Sequence, residues 1–264
     1  MEITDSFVDI HCHLLPGLDD GPATWSESVL MAEMAVADGV STIVATPHQL
    51  GSYPANRVAT IYPKVARLQE LLDGRKIPLQ VLPGAEVRIE PDLVGRIRSG
   101  DVLTVADRRR HLLLELPQEV YFPLDRPLAE LHAAGIVGIL AHPERNLGIL
   151  ASPGVLRPLV EAGCLLQVTA ASLLGVFGGR IRTFTEQLIK QRLVSLVSSD
   201  AHGTKSRPPG LRAAFDRVAE LAGHSTAVAL CCRNPACVVA GQPLSPIVEM
   251  RPGLLQRFLR KIAG

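Results

Sequence analysis

The chain has 264 residues, 47% of them hydrophobic, and 27 Lys+Arg against 26 Asp+Glu leave a formal net charge of +1. This length suits one α/β barrel or two small domains, with ample apolar material for one large core. Near-neutral charge argues against a dedicated nucleic-acid binder, and no apolar run approaches the ~18 residues of a membrane span.

Runs rich in Val, Ile and Leu alternate with helical stretches along the chain. A strand predicted over Phe7–Cys12 is followed by a helix over Trp25–Ala37, a strand over Thr42–Thr46 and a helix over Asn56–Leu72. Strands over Leu79–Val87 and His111–Leu116 come next, then a helix over Arg126–Ala134 and a strand over Ile136–Ala141. A helix over Pro153–Ala162, a strand over Leu165–Thr169, a helix over Thr183–Gln191 and a strand over Val194–Ser198 complete the alternation. The strands are almost continuously apolar, as parallel strands covered on both faces are. Gly39, Gly74, Gly135 and Gly163 stand where helix C-terminal glycines are expected. Seven strands with intervening helices predict an α/β fold, a distorted seven-stranded β/α barrel occupying residues 1–245 as a single domain.

After Asp200 the pattern turns helical, over Leu211–Ala222 and Thr226–Val239. Residues 246–264 form a tail whose Gly253–Ile262 stretch reads as a short basic amphipathic helix, packed on the barrel or docked on a membrane surface or a partner. The first residues, Met1-Glu2-Ile3-Thr4-Asp5, show no basic or apolar stretch, so no signal peptide is expected and the cytoplasm is the expected compartment. The five cysteines are odd in number and irregularly spaced, which suits reduced thiols. Cys231, Cys232 and Cys237 do not match the usual zinc spacing. No Cys is followed six positions later by Arg, the pairing of a cysteine-dependent phosphatase, so phosphate chemistry here needs another nucleophile.

Chemistry collects at the C-terminal rim of barrel strands, and the rim residues form one polar set. The first strand ends in His11 and His13, which alternate and so converge on one point, with Asp20 on the loop beyond. The second runs through Pro47 into His48, the third closes at Glu86, and the fourth carries Glu115 inside an apolar run. The fifth ends at His142, and the last ends in Asp200 and His202. An unpaired carboxylate buried in a strand costs several kcal/mol, which makes Glu115 the most telling residue, because a metal ion satisfies it. Glu86 alone also reads as a loop carboxylate capping a helix; the shared register favours ligation. His111, His132 and His224 lie elsewhere and read as ordinary.

Five histidines and four carboxylates without a thiolate suit Mn²⁺, Fe or Zn²⁺ and exceed what one ion needs. Two or three ions bridged by carboxylates are implied, and such clusters activate water and clamp phosphate oxygens. Arg145 and Arg207 fall on the same rim, either as guanidinium forks for phosphate or as surface arginines paired to acids. Asp9 and Asp19 read as residues that organise the ligands or their loop.

These segments resemble the polymerase-and-histidinol-phosphatase (PHP) superfamily, over about residues 7 to 245: Val8-Asp9-Ile10-His11-Cys12-His13, Ala45-Thr46-Pro47-His48, Gly84-Ala85-Glu86, His142-Pro143-Glu144-Arg145-Asn146 and Ser199-Asp200-Ala201-His202. Asp19-Asp20-Gly21-Pro22 and Arg207-Pro208-Pro209 narrow the resemblance to its bacterial tyrosine-phosphatase branch. The resemblance implies a trinuclear site, with manganese the expected metal, held by His11, His13, Asp20, His48, Glu86, Glu115, His142, Asp200 and His202. It implies phosphate binding by Arg145 and Arg207, and action on phosphotyrosine in a protein segment, the tail of a tyrosine kinase of capsule or exopolysaccharide export. A small-molecule phosphatase such as histidinol phosphatase is the alternative, with a nuclease domain or a metal-stabilised scaffold further behind. Gln49 departs from the family pattern, in which a second histidine or a basic residue often follows His48, and is expected to alter the rim near Tyr53.

Overall fold

The computed structural model describes residues 6–244. The expected tail helix, the boundary at residue 246 and the first five residues lie outside the described residues.

The strands are β1 (Phe7–Cys12), β2 (Val40–Ala45), β3 (His48–Gln49), β4 (Gln80–Pro83), β5 (Glu86–Arg88), β6 (His111–Glu115), β7 (Val137–Ala141), β8 (Leu165–Thr169) and β9 (Leu196–Ser198). Among the helices, α1 (Trp25–Ala37) and α2 (Val58–Gly74) cover the first strands, and α3 (Leu93–Ser99) and α4 (Asp125–Ala133) follow. Next come α5 (Leu147–Ala151), α6 (Leu156–Glu161), α7 (Ala170–Leu173) and α8 (Gly179–Lys190), then α9 (Arg212–Ala222), α10 (His224–Val228) and α11 (Asn234–Val239). This is a mixed α/β fold in which every strand pairing is parallel. No helix among the described residues is long and apolar enough to cross a membrane.

Hydrogen bonding divides the strands into two sheets, ordered β1-β2-β4 and β3-β5-β6-β7-β8-β9. The strand expected over Thr42–Thr46 is found as β2, and a further short strand, β3, follows it across Thr46-Pro47, where proline has no N–H to give a ladder. The stretch expected as Leu79–Val87 breaks at Gly84-Ala85, where the chains approach so closely that a Cβ on Gly84 would lie 2.5 Å from Val44 Cγ1. β1 and the segment after β9 meet through a parallel bridge between Cys12 and Ala201. His13 N–H donates to Ala201 O at 2.9 Å, and Asp200 N–H donates to His11 O at 2.8 Å. Asp9 stitches the same seam, its Oδ1 accepting from Ser199 N at 3.1 Å and His11 N at 3.2 Å. Burial raises the Asp9 carboxyl to about 6, against the pull of its Ser199 and His11 hydrogen bonds.

Apolar strand residues face both ways. Ile43, Leu112, Leu114 and Leu140 pack in the larger core with helix residues such as Met31, Leu68 and Leu131, and Val8, Ile10, Val44, Leu113 and Ile139 fill a second cluster closed by Val238. Cys12, Cys164, Cys231 and Cys232 are buried in the larger core, in keeping with the thiol reading. Gly39, Gly135 and Gly163 do reverse the chain after helices, at φ +100°, +76° and +95°. Gly74 does not. It is the last residue of α2, and Lys76 takes the left-handed conformation instead, at φ 56°. The helix expected over Thr226–Val239 is split into α10 and α11 by a π-helical turn at Ala229–Arg233.

His111, at the start of β6, is buried and its Nδ1 has no hydrogen-bond partner. Burial, reinforced by the Arg110 charge, lowers its pKa from 6.5 to about 4. The neutral ring is therefore favoured in the folded state, and its contribution is full above pH 6.5 and lost as pH falls through about 4. A His111→Leu variant is expected to show a flatter decline in urea-unfolding midpoint between pH 6.5 and 4 than the parent chain. Parallel curves for the two proteins would remove His111 from that decline.

Candidate metal centre

All nine residues expected as ligands meet in one place. Four overlapping groups have donor atoms within 4.8 Å of one another: His13, Asp20, His48 and His202; His11, His142 and Asp200; His11, His13 and Glu86; His48, Glu86 and Glu115. Glu86 is the hub. Its Oε1 lies 2.6 Å from His142 Nε2, and its Oε2 lies 3.0 Å from His48 Nδ1, 3.3 Å from His11 Nε2 and 3.4 Å from His13 Nε2. The register of β3 on β5 sets His48 opposite Glu86, and that of β5 on β6 sets Arg88 opposite Glu115. His142 directly follows β7 and Asp200 lies two residues past β9, with φ of 33° and 53°. These left-handed backbones are uncommon away from glycine, and strain of this kind persists where surroundings over-determine it.

The hydrogen bonds of the imidazoles test whether the set suits a cation. His11 Nδ1 lies 2.9 Å from Gln167 Oε1, an oxygen identified by the neighbouring Nε2 donating to Val168 O. His13 Nδ1 lies 2.7 Å from Asp19 Oδ2, and His202 Nδ1 lies 2.9 Å from the Asp200 carbonyl oxygen. Each Nδ1 faces an acceptor and so carries the proton, leaving Nε2 with its lone pair turned inward. The Nε2 atoms of His11 and His13 lie 3.3 Å apart, close enough to serve one cation together. Asp200 Oδ1 is buried without a hydrogen-bond partner, 3.2 Å from His11 Nε2. The residues fit divalent metal.

The charges respond to one another. Burial would raise the Glu86 carboxyl, but the imidazoles of His11 and His142 hold it well below the usual carboxylate range. Burial of Asp200 is likewise outweighed, by His11, Arg145, His142 and Arg207, so its carboxyl stays low. His142 is pushed down to about 4 by burial and by the Arg145 charge. Arg145 Nη2 lies 2.8 Å from Asp200 Oδ2, and Arg207 Nη2 donates to the same oxygen. Both guanidinium groups line a cavity of about 360 Å³ together with Asp20, His48, Glu86 and Glu115. A metal cage and two fixed cations thus share one cleft.

Residues 7–240 match the family of capsular polysaccharide synthesis proteins CpsB/CapC. The chain belongs to the CpsB/CapC family. It is 37% identical over 201 residues to tyrosine-protein phosphatase YwqE of Bacillus subtilis, covering 76% of this chain and 79% of the relative. It is 34% identical over 210 residues to the putative tyrosine-protein phosphatase CapC of Staphylococcus aureus, covering 79% and 82%. A crystal structure from work on YwqE of B. subtilis and CpsB of Streptococcus pneumoniae, described as unique metal-dependent tyrosine phosphatases, superposes with a TM-score of 0.87. That similarity is at 33% identity and covers 90% of this chain and 96% of the other.

Within this member of the family, one rim expectation is overturned. Gln49 is buried and turned away from the site, its Nε2 donating to Asn56 O at 2.8 Å and its Oε1 accepting from Leu103 N at 2.9 Å. It ties two loops together and leaves the rim to Tyr53, which stacks on His48 with ring centroids 5.1 Å apart. Glu115 is the last residue of β6 and partly exposed, rather than enclosed within the strand. Asp19 organises its neighbours as expected, since it also accepts from His48 N at 3.0 Å and Gly21 N at 3.0 Å. His132 is exposed on α4, and His224 packs edge-on against Phe215.

Gln167 and Arg88 are functional neighbours that the sequence reading missed. Gln167 carried a signal, a polar side chain in the apolar run Leu165-Leu166-Gln167-Val168, of the kind that singled out Glu115. Arg88 Nε sits 3.5 Å from Glu115 Oε2. Because Gln167 sets the tautomer of His11, a Gln167→Leu variant is expected to bind divalent metal about 10–100-fold more weakly. Competition with a chromophoric chelator measures this, and unchanged affinity would show that His11 is oriented by other contacts.

Proposed function

We propose that this chain is a metal-dependent protein-tyrosine phosphatase acting on phosphotyrosine in the tail of a bacterial tyrosine kinase that controls capsule or exopolysaccharide synthesis. The carrying observation is the cleft in which Arg145 and Arg207 stand beside nine N- and O-donor side chains. The tyrosine-phosphatase activity for which the similar proteins are named supports the substrate class. His11, His13, Asp20, His48, Glu86, Glu115, His142, Asp200 and His202 would hold three divalent ions, manganese first on the family resemblance, with iron or zinc equally compatible with this mixed imidazole and carboxylate set. Divalent ions held there supply a water made nucleophilic at neutral pH and offset the charge of the phosphoryl oxygens.

The chain's own residues do the rest. Arg145 and Arg207 bind the equatorial phosphoryl oxygens through charge-assisted hydrogen bonds and orient phosphorus for in-line attack. Asp200, which both arginines touch, keeps the two forks aimed into the cleft. Asp19 and Gln167 hold His13 and His11 in the tautomer that turns Nε2 to the metal. Tyrosinate, with a parent pKa of about 10, leaves without a strong general acid. The same reading treats residues 1–245 as one cytoplasmic domain and the two sheets together as a distorted seven-stranded β/α barrel. The Cys12–Ala201 bridge and the breaks between strands at Thr46-Pro47 and Gly84-Ala85 support that arrangement.

The test is one metal-loaded sample assayed on phosphotyrosine peptides, phosphoserine peptides, histidinol phosphate and a phosphodiester. Turnover is expected on phosphotyrosine by preference and is expected to stop on chelation. His48→Ala and Asp200→Ala are expected to lose at least about 10³-fold in kcat while their circular dichroism is unchanged. Near-normal turnover in either folded, metal-checked variant would refute the site, and preference for histidinol phosphate would refute the substrate.

A further inference from the structure

The cleft has an apolar side that the phosphate chemistry does not use. Phe177 and Ile181 line it on the same side as Arg145. Phe177 stands in the connection between α7 and α8, half-buried, with the Arg145 guanidinium carbon 5.1 Å from its ring centroid. A cation at this distance attracts the face of the ring and favours this placement. Two exposed apolar residues neighbour this wall along the chain: Val176, 59% exposed, directly precedes Phe177, and Leu147, 53% exposed, lies two residues after Arg145. Leu147 belongs to the same rim, since its N–H donates at 2.9 Å to the carbonyl of Gln118, another cavity residue.

We infer that Phe177, backed by Ile181, is the specificity-determining residue that receives the phenyl ring of phosphotyrosine, and that Val176 and Leu147 take apolar residues flanking it. This rests on the phosphotyrosine phosphatase reading. The order of groups across the cleft matches the order of groups along that side chain. Metal donors and two guanidinium groups at the floor meet the phosphoryl oxygens, and an aromatic wall stands above one of those guanidinium groups. Aromatic pairs prefer offset or edge-to-face contact, and such a pair adds to the burial of both rings. Phosphoserine has no ring to offer the wall, and its short side chain would have to bring backbone amides down into the apolar zone without partners. An apolar rim outside the cleft suits a protein segment better than a small polar phosphate ester.

The experiment compares the metal-loaded parent chain with Phe177→Ala, Phe177→Leu and Phe177→Tyr. The probes are a phosphotyrosine peptide, phenyl phosphate, a short alkyl phosphate and inorganic phosphate as inhibitor. Phe177→Ala is expected to raise KM for the peptide and for phenyl phosphate about tenfold, with kcat within about twofold. Its inhibition constant for inorganic phosphate and its KM for the alkyl phosphate are expected to stay as in the parent. Phe177→Tyr is expected to restore aryl binding and Phe177→Leu to restore it only in part. Calorimetric binding of a peptide carrying a non-hydrolysable phosphonate mimic of phosphotyrosine is expected to weaken by the same factor.

A matching loss for inorganic phosphate would mean that Phe177 merely seats Arg145, and would overturn the assignment. So would an unchanged KM for the aryl substrates. If the parent chain prefers phosphoserine or histidinol phosphate, the phosphotyrosine reading falls and takes this inference with it. If the parent prefers phosphotyrosine and Phe177→Ala is indifferent, this inference falls alone.

Discussion

A single carboxylate, Glu86, sits almost wholly buried with four imidazoles around its two oxygens. Burying a charge is costly unless it is paired, and here the partners come from three other strands. His11 and His13 arrive with β1, His48 opens β3 as Glu86 opens β5, and His142 follows β7. The ends of β1 and β7 and the starts of β3 and β5 must therefore lie at one level. Local departures from regular geometry serve that demand. The cuts at Thr46-Pro47 and Gly84-Ala85 lie just before His48 and Glu86, and the left-handed backbones of His142 and Asp200 turn their side chains inward at the strand ends.

Asp200 divides the cleft electrostatically. Its Oδ2 meets Arg145 and Arg207, while Oδ1 faces His11 and His13 without a hydrogen bond. One carboxylate thus serves two sets of partners, a metal-type cage on one side and a pair of fixed cations on the other. Truncating it would expose each set to the uncompensated charge of the other, so its loss reaches further than that of one ligand.

Much of this was legible in the chain because the same signal recurs: an apolar run ending in a histidine or a carboxylate. One such ending is ambiguous, and six in a common register are not. The reading failed where tertiary contacts decide. The run Leu79–Val87 is uniformly apolar and gives no sign that Gly84 must pass within contact of Val44. Gln49 follows His48, yet strand alternation turns it into the core to satisfy Asn56 and Leu103. Gln167 does not titrate, and its role exists only because β8 carries it to His11, 156 residues earlier in the chain. Phe177, between Val176 and Gly178 in a connection, shows no pattern in the sequence that would place it against Arg145.

The seam between Asp9 and Ser199 spans 190 residues. During synthesis, His11 and His13 emerge early and Asp200 and His202 last of the set, so the first pair waits for both sheets to be made before its partners exist. Contacts this distant in sequence slow folding and leave unpaired strand edges exposed meanwhile. A chain stalled before Asp200 therefore carries an incomplete donor set and an open edge on β1. The residues that close that edge, Asp200 and Ala201, arrive together with the last two members of the donor set, so edge protection and donor completion depend on the same short segment.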